Sequence, residues 1–229
     1  MPQLYIGNKN YSSWSMRPWV LLKQAGIDFE EVMVRFDSFD SSSKFKATLG
    51  PLTPTGKVPL LVDGDLAVWD TLAIAEYVAE QFSGTPLWPH DKAARARARS
   101  VCAEMHAGFT ALRGNCPMNI EADLTATGAL IWRDKPAVRA DVARLVAMWE
   151  GLLDQYGGPL LLGQFSVADA DAFVGMAQAG DYRLRYAADA TVLAVGDVLT
   201  IRGQQYHVAE DPARMLDGLE YSVRLREGA

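Results

Sequence analysis

Three serine side chains, Ser12, Ser13 and Ser15, lie at or near the N-terminus of the first predicted helix, beside the loop that follows the first predicted strand. A loop in this place opens at the carboxyl end of the strand, where α/β folds commonly bind ligands. A hydroxyl near a helix N-terminus can hydrogen-bond a thiolate, which favours the charged form and lowers the thiol pKa. The residues alone leave open a second interpretation, in which one of these serines is simply an N-cap.

A second candidate group lies between residues 54 and 80 and begins with a turn at Gly56. Pro59 cannot donate to a β-ladder, so it belongs at a sheet edge or at a cis turn. If the bond before it is cis, Val58 presents its N–H and C=O to an extended peptide. Asp70-Thr71 then caps a helix whose free amides suit a carboxylate. Together these features predict a site for a small peptide.

Lys57-Val58-Pro59, the following hairpin and Asp70-Thr71 resemble the glutathione-binding half of a thioredoxin-fold glutathione transferase. The resemblance implies that Val58, before a cis Pro59, pairs with the cysteine of glutathione. It also implies that Asp70 and Thr71 hold the γ-glutamyl end and that Lys57 reaches the glycyl carboxylate. Threonine stands here where the family usually has serine, and it keeps the hydroxyl.

The segment 11–17, YSSWSMR, is similar to the serine motif of zeta-class and related bacterial transferases. That similarity implies that Ser12 activates the glutathione thiol and that Ser13 helps to hold it. Trp14 stands where the zeta class carries a cysteine, which argues against maleylacetoacetate isomerase activity in particular. Tyr11 is an alternative, since other classes use a tyrosine hydroxyl for the same task.

Hydrophobic periodicity predicts an α/β thioredoxin-like N-terminal domain over residues 1–83. The predicted order is βαβ–ββα, with strands over 3–7 and 29–34, a helix over 14–24, a short helix near Phe45, a hairpin over 58–68 and a helix from Asp70 to Phe82.

An all-α domain is predicted over residues 90–178, after a Gly-, Pro- and Ser-containing linker near 83–91. Helical spacing predicts one long helix over 92–113 and another over 135–156. Ser166-x-x-Asp169 predicts a capping box that begins a buried helix. Transferases continue with further helices, so this domain is expected to be incomplete.

Three other residues of this helical region are candidates for the site. His106 is expected at a polar surface position of the long helix rather than at a catalytic one. Met118 and Trp132 either border a co-substrate pocket or belong to the core, and the residues do not decide between these positions.

An atypical β-rich segment is predicted over residues 181–229, from alternating apolar runs that include 198–201, 206–208 and 221–225. A hairpin turn is predicted at 202–205. This segment resembles the small β-barrel tails of phage head–tail joining proteins. Two origins fit the sequence: a natural fusion, or a truncated transferase gene read into foreign sequence.

Composition narrows the class of protein further. The chain has 229 residues, 49% of them hydrophobic and 22% charged, which is ordinary for a soluble globular protein. A net charge of −6 argues against nucleic acid as a partner. Cys102 and Cys116 form neither a metal-ligand nor a disulfide framework, and no metal is expected. Neither a membrane span nor a signal peptide is evident, so the reducing cytoplasm is the expected location.

The predicted function is that of a glutathione transferase, with glutathione as co-substrate and a small electrophile as the second substrate. By resemblance the protein is expected to be a homodimer, with no nucleic-acid or membrane partner. One alternative is a non-catalytic transferase-like scaffold or binding protein whose β-rich tail serves assembly. Another is a glutathione-dependent isomerase. Because residues 1–83 contain no cysteine, a cysteine-centred reductase is not favoured.

Overall fold

The computed structural model describes residues 1–38, 40–178, 198–201, 204–208 and 225–227, with side chains described as far as Ala172. The chain divides into two compact units, Met1–Asp181 and Tyr182–Ala229. The finer division of the first unit into domains over 1–83 and 90–178 stays a prediction.

The first unit begins with a mixed four-stranded sheet. Its strands are β1 (Gln3–Ile6), β2 (Glu30–Met33), β3 (Leu60–Asp63) and β4 (Leu66–Trp69). Strand β1 runs parallel to β2 and antiparallel to β3, and β3 forms a hairpin with β4, which gives the order β2-β1-β3-β4. The predicted α/β thioredoxin-like sheet is therefore confirmed.

Three helices accompany this sheet: α1 (Ser13–Gln24), α2 (Lys44–Leu49) and α3 (Thr71–Gln81). The element order β1-α1-β2-α2-β3-β4-α3 is the predicted βαβ–ββα arrangement. Strand β3 begins at Leu60 rather than at Val58, which is consistent with a proline that has no N–H to donate to a ladder. Helix α1 ends before Gly26, whose φ of +66° is readily adopted by glycine.

An all-helical region follows, and it confirms the predicted second fold class. Its helices are α4 (Lys92–Ala107), α5 (Thr110–Asn115), α6 (Thr125–Asp134), α7 (Pro136–Tyr156) and α8 (Val167–Gln178). None of the helices in the described part of the chain is both long and apolar enough to cross a membrane.

The prediction of one continuous helix over 92–113 is wrong. Helix α4 ends at Ala107, Gly108 takes an extended conformation, and Phe109 lies in the left-handed region with φ of 59° before α5 begins. Gly108 is closely packed, because a Cβ there would lie 2.7 Å from the carbonyl oxygen of Glu104. Helical spacing does not register this break, since Phe109 is still buried.

Of the two residues left open between core and pocket, Met118 lies in the core of the helical region and Trp132 does not. Met118 is only 2% exposed and belongs to the main hydrophobic cluster, whereas Trp132 is 51% exposed on α6.

Helix α8 packs against both α1 and α4. The helical region is thus joined to the sheet region through the helix that carries the serine motif.

The predicted capping box at the start of α8 is half confirmed. The Asp169 carboxylate accepts a hydrogen bond from the Ser166 backbone N–H at 2.9 Å, as predicted. A capping box also predicts a bond from the Asp169 N–H to the Ser166 hydroxyl, and that prediction is wrong. The Ser166 hydroxyl lies 3.0 Å from the Asp169 carboxylate, and the Asp169 N–H donates to the Ser166 carbonyl. Asp169 also accepts from the Leu161 N–H at 2.9 Å, so it ties the preceding loop to the helix.

In the second unit the described residues form an antiparallel sheet of order β5-β6-β7. Its strands are β5 (Val198–Ile201), β6 (Gln204–Val208) and β7 (Leu225–Glu227), with Val198 opposite His207 and Tyr206 opposite Glu227. The antiparallel pairing of β5 with β6 confirms a hairpin here, but the predicted turn at 202–205 is too long, because Gln204 and Gln205 belong to β6. Residues 202–203, 221–224 and most of the rest of the predicted β-rich tail lie outside the described residues.

Candidate functional site

Ser12 lies at the end of the loop that follows β1. Its backbone N–H donates to the Asn8 carbonyl at 2.8 Å, and its own carbonyl accepts from Met16, which places it at the N-cap of α1. The side chain makes no capping hydrogen bond; its Oγ lies 2.7 Å from the Oγ of Ser15. The simple N-cap interpretation therefore does not describe the Ser12 hydroxyl.

The other hydroxyls of the motif differ in exposure. Ser13 is 7% exposed, like Ser12, and begins α1. Ser15 is 1% exposed, and its Oγ accepts the Gly7 backbone N–H at 3.1 Å. The Tyr11 side chain is 55% exposed, so it lacks the enclosed environment that the serines share.

Val58 presents an unpaired peptide edge. The Val58–Pro59 bond is cis, and Val58 is half-buried. Within the part of the chain that the structure describes, neither its backbone N–H nor its C=O makes a hydrogen bond. Backbone N–H and C=O groups in folded proteins are normally paired, so these two groups are available to an extended ligand.

Asp70 has a backbone conformation that is unusual for any residue except glycine, with φ of 75°. One carboxylate oxygen caps α3 by accepting the Leu72 N–H at 3.0 Å, and the side chain is 48% exposed. The hydroxyl of Thr71 donates to the Trp14 carbonyl at 3.3 Å. This bond joins the start of α3 to the start of α1, and so brings the two predicted halves of the site together.

His106, predicted at a polar surface position of the long helix, lies partly exposed beside this junction. Its side chain is 35% exposed, its Nε2 is 3.5 Å from an Asp70 carboxylate oxygen, and its ring meets Trp14 edge-on at 5.1 Å. The helical spacing of α4 does not reveal this position, because the contact spans the two regions of the chain.

Two lysines lie near the peptide edge. Lys57, the predicted residue, is exposed. Lys46, on α2, was not predicted; its Nζ donates to the Gly56 carbonyl at 2.8 Å. A turn of α2 thereby supplies a cation next to the turn before Val58.

A buried ion pair supports α1 behind Trp14. The guanidinium of Arg17 lies 4.2 Å from the centre of the Trp14 ring, and its Nε is 3.2 Å from a carboxylate oxygen of Asp171 on α8. Both side chains are almost completely enclosed, at 2% and 3% exposure. Arg113 lies over the same indole at 4.7 Å. Sequence reasoning missed this group, because Arg17 and Asp171 are far apart in the chain.

Burial dominates the protonation equilibria of this pair. It lowers the pKa of Arg17 to about 10, although Asp171 opposes part of that change. It also raises the pKa of the Asp171 carboxyl, which Arg17 in turn partly opposes. The neighbouring Cys102 thiol, hydrogen-bonded to Asp171, has its pKa raised by burial as well. Cys102 is therefore a structural thiol rather than a reactive one.

Metal binding finds no support in the described ranges, where no three His, Cys, Asp or Glu side chains are placed to hold an ion. The site consists instead of hydroxyls, a peptide edge, a carboxylate at a helix start and nearby lysines.

Comparisons with known proteins identify the family. The family profile described as glutathione S-transferase, N-terminal domain, matches residues 11–81. Glutathione S-transferase 1 of Dianthus caryophyllus is 30% identical over 155 residues, which cover 67% of each chain. A probable maleylacetoacetate isomerase of Caenorhabditis elegans is 32% identical over 111 residues, 48% of this chain and 49% of that protein.

Solved structures share the fold. A glutathione transferase homologue from Burkholderia gl BGR1, crystallised with bound glutathione, has a TM-score of 0.57 and 23% identity, covering 78% of this chain and 80% of that one. The chain spans less than two thirds of several curated relatives, including 30%, 40% and 49% of three of them. The chain belongs to the glutathione S-transferase family.

The buried ion pair generates a stability prediction. Asp171→Ala leaves the Arg17 guanidinium enclosed without its carboxylate, so we expect the free energy of unfolding to fall by about 3–5 kcal/mol. Urea unfolding followed by tryptophan fluorescence measures this directly, because all six tryptophans lie between residues 14 and 149, in the first unit. Arg17→Met combined with Asp171→Leu should restore part of the loss.

The matched control for this prediction is Asp134→Ala, which breaks the exposed pair between Asp134 and Arg133 and should have a much smaller effect. If Asp171→Ala costs no more than this control, the buried pair is not a stabilising link.

Proposed function

We propose that the protein is a glutathione transferase that stabilises the glutathione thiolate through Ser12 and directs it at a small electrophile. The observation that carries the proposal is the unpaired peptide edge at Val58, close in sequence to the strained, helix-capping Asp70. An edge and a helix start of this kind suit a small peptide with a free γ-glutamyl end. The bound glutathione in the Burkholderia homologue supports the choice of peptide.

Each end of glutathione has a partner in the proposal. Val58 and Pro59 place the cysteinyl unit, with the Val58 backbone pairing to it. Asp70 and Thr71 hold the γ-glutamyl end, because the Asp70 carboxylate attracts its amino group and the helix start attracts its carboxylate. Lys57 reaches the glycyl carboxylate; Lys46, anchored on the Gly56 carbonyl, adds a second cation there.

The chemistry requires a positioned thiolate and no covalent enzyme intermediate. The Ser12 hydroxyl donates to the sulfur, which favours the thiolate over the thiol, and Ser13 helps to hold it. Attack on the electrophile then gains from the fixed geometry of the two reactants. The electrophile enters between the sheet region and the helical region, where pockets commonly form.

The wider properties follow from family membership and remain part of the proposal. The protein acts in the cytoplasm as a homodimer, with glutathione and a small electrophile as its ligands and with no metal.

Two other functions have an observation in their favour. The similarity to the nematode isomerase supports a glutathione-dependent isomerase, which needs the same thiolate but returns glutathione unchanged. The separate unit Tyr182–Ala229 supports a non-catalytic scaffold whose tail serves assembly. Glutathione consumption distinguishes the transferase from the isomerase, and turnover distinguishes both from the scaffold.

Replacing the proposed activating hydroxyl tests the chemistry. Ser12→Ala should lower kcat/KM for an activated aryl halide at neutral pH by about 10- to 100-fold, the loss expected for one hydrogen bond to a charged group. Glutathione affinity, measured by calorimetry, should change little. Ser100→Ala, at an exposed serine of α4, is the control that should leave both quantities unchanged. Full turnover in Ser12→Ala would contradict the proposal.

The backbone of Asp70 allows a test of the binding subsite. Asp70→Gly removes a carboxylate and relieves a φ of 75°, so we expect the free energy of unfolding to rise by about 1 kcal/mol. Glutathione affinity should nevertheless fall about tenfold or more, because the γ-glutamyl partner is lost.

Asp91→Gly provides the matched control, because Asp91 caps α4 with an ordinary φ of −64° and should only lose stability. If Asp70→Gly keeps its glutathione affinity, Asp70 is a structural cap and not a ligand-binding residue.

A further inference from the structure

We propose that Ser15 is a positioning residue that sets the direction of the Ser12 hydroxyl, so that Ser12 donates its proton to the glutathione sulfur. The inference rests on the proposed function and adds to it a residue that does not touch the substrate. Its basis is a chain of hydrogen bonds from Gly7 through Ser15 to Ser12.

The hydrogen bonds between Gly7, Ser15 and Ser12 are short and buried. The Oγ atoms of Ser12 and Ser15 are 2.7 Å apart, which is an ordinary separation for an O–H···O hydrogen bond. Ser15 is 1% exposed, and its oxygen already accepts the Gly7 N–H at 3.1 Å. Water therefore does not compete with Ser12 for the Ser15 hydroxyl in this conformation.

The number of available protons decides the direction in which these hydrogen bonds are donated. Each serine hydroxyl has one proton to donate and two lone pairs that accept. One lone pair of Ser15 is taken by Gly7, and the bond between the two serines uses one proton. If Ser12 gives its own proton to sulfur, the proton between the serines must come from Ser15. The donation then runs from Gly7 to Ser15, to Ser12 and to the thiolate.

The opposite direction favours the wrong ionisation state. If Ser12 donates to Ser15, Ser12 faces the sulfur with lone pairs only. It then accepts a proton from the sulfur, which favours the neutral thiol over the thiolate. Consecutive donors that point the same way also polarise one another, so the Gly7 amide strengthens the donation by Ser12.

The backbone fixes the positions of Gly7 and Ser15 in this series of hydrogen bonds. Gly7 follows β1 directly, and Ser15 lies in the first turn of α1. A Cβ at Gly7 would lie 2.4 Å from the Phe36 ring and 3.0 Å from the Cβ of Ser12, so glycine permits the close approach. The end of the strand thereby supplies the donor that orients the helix hydroxyl.

A double-mutant cycle tests the proposal. The pKa of the bound glutathione thiol is measured from thiolate absorbance against pH for the natural chain, Ser12→Ala, Ser15→Ala and the double variant. We expect Ser15→Ala to raise this pKa and to lower kcat/KM at neutral pH about 3- to 10-fold, with recovery at high pH. Because Ser15 acts through Ser12, the double variant should match Ser12→Ala alone.

Affinity for S-methylglutathione, which has no ionisable thiol, reports whether each variant still forms the site and should stay unchanged. If Ser15→Ala fails this check, Ser15→Cys replaces it, since a thiol of similar size is a poor donor and should produce the same rise. For that variant the glutathione thiol pKa is taken from the pH dependence of kcat/KM, because the new thiol would add to the thiolate absorbance.

The possible failures are distinct. If Ser12→Ala leaves the thiol pKa unchanged, or the natural chain binds no glutathione, the proposed function is wrong and the role of Ser15 falls with it. If Ser12→Ala raises the pKa while Ser15→Ala does not, or the two effects add independently, Ser15 only holds the loop. The proposed function then stands without the positioning role.

Discussion

The buried pair between Arg17 and Asp171 is the interaction on which the geometry of the site depends. It joins α1, which carries the serines, to α8 of the helical region, at 3.2 Å and almost without exposure to solvent. Enclosing two such groups carries a large desolvation cost, so removal of one partner is far more harmful than removal of an exposed charge. Trp14 lies against the same guanidinium, and its carbonyl accepts the Thr71 hydroxyl. The helix start at Asp70 is thereby linked to the helical region.

Local patterns made much of the sheet region predictable. The hairpin, the helix capped by Asp70 and the strand–helix–strand beginning each depend on residues close together in sequence, and each was confirmed. The features that were missed depend on contacts between distant segments: the pairing of Asp171 with Arg17, the position of His106 beside Asp70, and the break of the long helix at Gly108. No periodic pattern reports such contacts, because they depend on tertiary packing.

The candidate site was predicted as a set of residues but not as a network. Ser12 and Ser15 were recognised as hydroxyls near a helix start, yet the sequence leaves open whether such a serine is a cap. The structure shows Ser12 facing Ser15 instead of the helix amides. Similarly, Asp70 was predicted as a helix cap, whereas its left-handed backbone was not. Strained backbone conformations of this kind cost stability, and proteins keep them mainly at sites where they serve a function.

Calorimetric titration of the full chain with glutathione shows whether the Val58 edge and the Asp70 helix start form one ligand site. We expect saturable heat with one glutathione per chain and a Kd in the micromolar-to-millimolar range, which corresponds to a binding free energy of roughly −4 to −8 kcal/mol. Cysteinylglycine, which lacks the γ-glutamyl end, should bind far more weakly. No saturable heat at millimolar glutathione, or equal binding of the two peptides, would show that Val58 and Asp70 do not form a glutathione site.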